Sequence, residues 1–208
     1  DVHIIRNDTI AIGMSERTSA QGIDFFVKYL NKYSTVKNIF VVSLPKQKAY
    51  IHVDMVFSVI DKDKCVIYPP LIIGRDRMEV IHMKFNENDE IESIKPVDNL
   101  LSGLKSVGIK LEPIFCGGQD RKHQDREQWQ SGANFFAIGP GKIIGYERNT
   151  ETLKEVEKAG IPIVKANDVM IGKVNINNME KCAIAINSGE LTRGGGGCRC
   201  MTQPILRD

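Results

Sequence analysis

The chain has 208 residues, enough for one substantial hydrophobic core or at most two small domains. Lys and Arg outnumber Asp and Glu by only 28 to 26, so the charge gives no electrostatic case for nucleic acid. No uncharged apolar run approaches the roughly 20 residues of a membrane span, and no secretory leader is visible. The five cysteines, Cys65, Cys116, Cys182, Cys198 and Cys200, are odd in number and irregular in spacing. That argues against a secreted disulfide framework and for the reduced thiols of a cytoplasmic protein. The first residue is Asp1 rather than Met, so the chain is expected to be a piece of a longer one.

A strand-helix-strand rhythm is expected three times. In the first copy Thr9–Met14 reads as a strand. Thr18 or Ser19 can then cap a helix in which Ile23, Phe26, Val27 and Leu30 follow helical spacing, and residues 38–44 return as a strand. The second copy opens with a strand over residues 50–60 and a second over 65–68, closed by Pro69-Pro70. Asp98 is expected to cap a helix carrying Leu100, Leu101 and Leu104, which Gly108 ends before a strand over residues 109–115.

The third copy has strands over residues 135–138 and Lys142–Tyr146 around Gly139-Pro140-Gly141, a turn signal. A helix over 151–158 follows, then a strand at Ile163–Lys165, and Cys182–Ile186 adds a last apolar strand. The fold class is therefore α/β, with a period near 50 residues; an unrepeated α/β domain stays open, because the copies share a pattern and not a sequence. Residues 120–128 read as a loop with a short helical start, and Trp129 as a packing anchor.

Several residues could carry chemistry. Gly194 to Gly197 form a glycine run that suits close approach of backbone to a ligand, or a flexible linker. No Gly-Lys-Ser or Gly-Lys-Thr follows, so it is not a phosphate-binding loop. Cys198 and Cys200 could be metal ligands, a strained disulfide, a nucleophile beside an incidental neighbour, or inert thiols. The four histidines do not pair with them at zinc-site spacing. A thiol beside Arg199 should have its thiolate favoured by the positive charge. His52 and Asp54, two apart in the expected strand, would share one face and form either a polar pocket or a solvent-facing edge. Arg17 could grip a carboxylate through its planar fork, or pair with Glu16 at the surface.

Five of these features, taken in order, resemble the arginine deiminase family over nearly the whole chain. They are Ile-Gly-Met-Ser-Glu-Arg-Thr from Ile12, the His-x-Asp at His52, Glu127-Gln128-Trp129, the stretch from Asn134 to Asn149 with its Ala-Ile-Gly-Pro-Gly centre and Tyr-Glu-Arg-Asn end, and Arg-Cys-Met at Arg199. The resemblance implies a pseudo-symmetric α/β propeller of five ββαβ units, of which residues 1–208 would supply about three. The N-terminal part of the catalytic domain and a helical insertion would lie upstream. Asp1 would be the last residue of a Glu-Gly-Gly-Asp motif whose Glu, like a further Asp, also lies upstream.

The resemblance also implies roles. Cys200 would be the nucleophile, His52 the acid/base, and Asp54 the holder of the guanidinium. Arg17 would bind the substrate carboxylate, with Gly194 and Gly195 lining the substrate site. Bacterial relatives often carry Arg at the place of Gly195 and Pro near Cys198; here that Arg is absent, which leaves Arg17 as the chief carboxylate clamp, with Arg193 or Arg199 as open substitutes. The implied reaction is hydrolysis of L-arginine to L-citrulline and ammonia, with no cofactor, no metal, and neither nucleic acid nor membrane as partner. A homo-oligomer stays open. The rival readings are another guanidino enzyme (a dimethylarginine hydrolase, an agmatine deiminase or an amidinotransferase) and a non-catalytic fragment.

Overall fold

The computed structural model describes residues 1–202, apart from the side chain of residue 31. In chain order the elements are β1 (Val2–Arg6), β2 (Thr9–Met14), α1 (Ala20–Tyr33), β3 (Asn38–Ser43), β4 (Phe57–Val59), β5 (Lys64–Ile67), α2 (Pro69–Ile72), β6 (Val80–Phe85) and β7 (Ile91–Val97). They continue with α3 (Leu100–Ser106), β8 (Glu112–Phe115), α4 (Arg121–Trp129), β9 (Phe136–Gly139), β10 (Lys142–Tyr146), α5 (Thr150–Lys158), β11 (Ile163–Lys165), α6 (Ala166–Met170) and β12 (Cys182–Ile186). Among the described residues the strands form three separate sheets, none closed into a barrel, so the class is mixed α/β. The chain divides into two compact units, residues 1–53 with 70–111, and residues 54–69 with 112 onward.

The first unit is built on the sheet β1-β2-β3-β6-β7. β1 and β2 pair antiparallel, and α1 carries the chain over to β3, which runs parallel to β2. Ser19 starts α1, its hydroxyl accepting the Gly22 N–H at 3.1 Å. Ile23 and Val27 on the helix then pack on Ile10, Ile12, Ile39 and Val41 of the sheet.

The second unit holds the sheets β4-β5-β8 and β11-β12-β10-β9. Its core joins Ile60 and Val66 with Ile114, Phe135, Ile143 and Val156. Each of the three sheets contains an antiparallel hairpin followed by a strand parallel to the hairpin's second strand: β3 after β1-β2, β8 after β4-β5, and β12 after β9-β10. In the last sheet β12 lies between β10 and β11 and is parallel to both.

Four expectations need correction. Residues 50–60 are not one strand: Lys48–Tyr50 and Val53–Met55 are 3-10 turns, and only Phe57–Val59 is extended. Val53 to Ser58 are all buried, so the alternation of faces expected around His52 and Asp54 is absent. The Val53 N–H donates to the Asp1 carboxylate at 3.0 Å instead of to a neighbouring strand. His52 and Asp54 therefore do not share a strand face. Asn99, not Asp98, caps α3, in a reciprocal pair with Ser102. The hairpin of β6 and β7 extends the first sheet where no strands were expected, because β7 exposes most of its side chains and has no buried face to mark it.

The fourth correction is residues 120–128, which form most of a nine-residue helix capped by the Asp120 carboxylate. Apolar spacing could not find it, because the side chains that α4 buries are Gln124, Glu127 and Gln128. Trp129 ends this helix 66% exposed and anchors nothing. Each buried polar group on α4 meets a specific partner. Gln124 Nε2 donates to the Gly118 carbonyl at 2.7 Å, and Gln128 Nε2 to the Met55 carbonyl at 3.3 Å. Glu127, fully buried, accepts from the Glu151 N–H at 3.0 Å, the Thr152 N–H at 2.8 Å and the Thr152 hydroxyl at 2.7 Å.

Those two N–H groups open α5, and Asn149 before them offers no side-chain cap, so Glu127 caps α5 from another helix. Glu127→Ala would leave these donors buried and unpaired, and should lower stability by about 1–3 kcal/mol. Glu127→Gln should recover part of the loss, since its carbonyl still accepts. Urea-unfolding midpoints of the two variants measure both.

Candidate active site around Cys200 and Asp54

The glycine run ends in a turn. Leu191–Gly194 is a 3-10 helix, Gly195 and Gly196 take φ of 77° and 86°, and Cys198 to Met201 form the turn that presents Cys200. Those φ values lie in the left-handed region, where a side chain is strained. At Gly197 the demand is for space: an added Cβ would come within 2.4 Å of Asn134 Oδ1. The Tyr146 hydroxyl donates to the Gly196 carbonyl at 3.3 Å and pins the loop from below. Burial first, then the neighbouring Cys198 and Cys200, push the Tyr146 phenol up to about 12, so it remains a donor at physiological pH.

All five cysteines are free thiols, and Cys200 alone is exposed. Burial pushes the Cys116 and Cys198 thiols up to about 12 and also raises those of Cys65 and Cys182. The strained Cys198–Cys200 disulfide left open by the sequence is therefore absent. Of the pair, Cys200 is the thiol that reagents can reach.

Asp54 is buried, and its carboxylate oxygens stand 3.8 and 4.0 Å from Cys200 Sγ. Arg199 Nε lies 3.6 Å from Asp54 Oδ2. Desolvation first, and then the Asp54 charge, raise the Cys200 thiol above its ordinary value; the Gly197 backbone and the Asn134 side chain act in the opposite direction. The thiol is thus raised on balance, where the sequence led to the expectation of a favoured thiolate. The Arg199 guanidinium lies beside Asp54, whose carboxylate is a charge that opposes ionisation of the sulfur.

The second unit thus brings together Asp54 and Cys200, with Gly194 and Gly195 exposed on the loop that leads to the thiol. His52 and Arg17 belong to the first unit. His52 is half-buried in the bend between the two 3-10 turns, two residues before Asp54. Arg17 is exposed in the bend that follows β2. Reasoning from the sequence passed over Asn134, which is 1% exposed and bonded to both Asp54 and the Cys200 loop. One signal could have found it, an amide side chain set between the apolar residues Ala133 and Phe135.

Two outcomes follow for the thiol. Iodoacetamide labelling located by peptide mass spectrometry should fall first on Cys200, its rate rising with pH through a midpoint above that of an ordinary thiol. Asp54→Asn removes the adjacent negative charge, so it should lower that midpoint and speed labelling at neutral pH.

A family model described as arginine deiminase matches residues 1–207. Among curated proteins, the chain is 34% identical over 212 residues to an arginine deiminase of Lactococcus lactis subsp. lactis, with 100% of this chain and 47% of the relative aligned. It is 32% identical over 210 residues to an arginine deiminase of Mycoplasma capricolum subsp. capricolum and 33% identical over 210 residues to one of Bacillus cereus; each alignment covers 100% of this chain and 46% of the relative. The chain spans about half the length of the relatives it matches. Read together with a reachable thiol set beside a buried carboxylate, these likenesses show that the chain belongs to the arginine deiminase family.

Proposed function

We propose that the protein carrying this chain hydrolyses L-arginine to L-citrulline and ammonia, with Cys200 as nucleophile and Asp54 as a guanidinium-binding carboxylate. The observation that carries the reading is the separation of 3.8 Å between Cys200 Sγ and Asp54 Oδ1. A guanidinium is delocalised and resists attack, so it needs a carboxylate to accept its N–H groups and a nucleophile placed over its central carbon. A cation seated on Asp54 would also offset the carboxylate charge that, after desolvation, raises the Cys200 thiol. The substrate itself would then activate the nucleophile.

In this reading the Cys200 thiolate forms a bond to the guanidino carbon, giving a tetrahedral adduct. His52, two residues before Asp54, protonates the departing nitrogen; the C–N bond breaks and ammonia leaves, with an S-alkylthiouronium on Cys200. His52 then takes a proton from water, whose oxygen bonds to the same carbon. The C–S bond breaks, and citrulline and the free thiol are released.

Further parts of the proposal come from the family. The three sheets would be three of the five ββαβ units of a pseudo-symmetric propeller, supported by the hairpin-and-parallel-strand plan repeated in each. The second guanidinium-binding acid would come from outside these 208 residues, and residues 1–208 would be the C-terminal part of the catalytic domain. Arg17 would grip the α-carboxylate, with Gly194 and Gly195 against the substrate. The chemistry needs no cofactor, and the protein would work in the cytoplasm. Among the described residues no helix is long and apolar enough to cross a membrane.

In the full-length protein Cys200→Ser should abolish citrulline formation, while Cys198→Ala should retain much of it. The reverse pattern would move the nucleophile to Cys198. Arg17→Ala should cost about 2–5 kcal/mol of arginine recognition, roughly 30-fold to several thousand-fold in kcat/KM, because a buried carboxylate loses its planar fork. Agmatine has no carboxylate, so its turnover should change little. Equal losses on both substrates would make Arg17 a structural residue, and a parent protein that prefers agmatine would favour an agmatine deiminase instead.

A further inference from the structure

Asn134 is an amide side chain buried to 1% exposure at the point where the Cys200 turn meets the segment bearing Asp54. A primary amide offers two N–H donors and a carbonyl oxygen with two lone pairs, and burial without partners is costly for each. Here all four are engaged. Oδ1 accepts the backbone N–H of Arg199 at 2.9 Å and that of Cys200 at 3.3 Å. Nδ2 donates to the Asp54 carbonyl at 3.1 Å and to Cys200 Sγ at 3.3 Å.

The network also decides which way the amide faces. Two backbone N–H groups can only donate, so they must meet Oδ1; the Asp54 carbonyl can only accept, so it must meet Nδ2. The group that Asn134 turns toward the sulfur is therefore a donor. A donor aimed at a cysteine sulfur bonds more strongly to the thiolate than to the thiol, since a hydrogen bond to an ionised acceptor is about twice as strong as a neutral one.

We propose that Asn134 is a further catalytic residue of this site, one that stabilises the Cys200 thiolate through Nδ2 while Oδ1 holds the thiol-bearing turn against the Asp54 segment. The proposal rests on the reading of Cys200 as nucleophile. It answers a problem that this site sets itself: the carboxylate that should hold a guanidinium also opposes ionisation of the sulfur, and Asn134 is an uncharged group that works in the other direction. Direction of the Asn134 contribution, against that of Asp54, agrees with this assignment. Gly197 completes the device. Any Cβ there would meet Oδ1 at 2.4 Å and push the amide off the sulfur.

The test separates a thiolate-stabilising role from a loop brace. In the full-length protein, the pH dependence of iodoacetamide labelling at Cys200 is measured without substrate for the parent, Asn134→Asp, Asn134→Ala and Gly197→Ala, with thermal melts to confirm folding. Asn134→Asp is nearly isosteric and retains an acceptor for the two backbone N–H groups, but it sets an oxygen where the donor was. All three variants should raise the labelling midpoint, Asn134→Asp by about one pH unit or more, which is a roughly tenfold loss of thiolate at neutral pH. With arginine as substrate, kcat should fall with KM changed far less.

A folded Asn134→Asp or Asn134→Ala with the parent's labelling midpoint would overturn the proposal. If neither folds, Gly197→Ala, which removes no polar group, decides by the same readout. The reading of Cys200 as nucleophile stands or falls separately. Citrulline formation surviving Cys200→Ser would remove it, while the labelling profile would still report on Asn134.

Discussion

A carboxylate held 3.8 Å from a thiol makes that thiol harder to ionise, and the arrangement around Asp54 and Cys200 follows from the need to manage this repulsion. Asp54 is buried and approached by the Arg199 guanidinium, which offsets its charge. Desolvation and the Asp54 charge together raise the Cys200 thiol above its ordinary value. The other four cysteines are silenced more simply, by burial.

The second unit places these groups through buried polar side chains that reach across its elements. Glu127 on α4 caps α5, Gln128 on α4 holds the Met55 carbonyl, and Asn134 holds the Asp54 carbonyl together with the Arg199 and Cys200 N–H groups. Each link replaces water at a backbone group that would otherwise be orphaned, so the links are directional where hydrophobic packing is not. Apolar packing on Phe135, Ile143 and Val156 supplies the bulk of the core. The polar links set where the thiol and the carboxylate stand relative to one another.

What could be read in advance depended on whether an element's apolar side chains mark it. β2, β10, β11 and β12 are short apolar runs, α1 buries apolar side chains at helical spacing, and all five stand where apolar pattern, caps and turn glycines put them. α4 buries Gln124, Glu127 and Gln128, so a reading tuned to apolar faces saw a charged loop. β7 exposes most of its residues and is held by its ladder to β6, for which its side chains carry little signal. The strand expected over residues 50–60 failed for the opposite reason. Val53 to Ser58 are buried without a break, and a short apolar run is as compatible with a tight turn as with a strand.

The sequence by itself determined the α/β class, most of the hairpin-helix-strand rhythm and the family likeness, because each of these is carried by local pattern or residue type. The tertiary structure decided how the site residues act on one another. It put Asp54 on a 3-10 turn rather than a strand face, set its carboxylate beside the sulfur, and brought in Asn134 from 66 positions away in the chain. Hydrogen bonds and charge interactions depend on separation in space, and chain spacing predicts that separation only within one regular element. Asp54, Asn134 and Cys200 sit on three different segments, so their chemistry became legible only once the chain had folded.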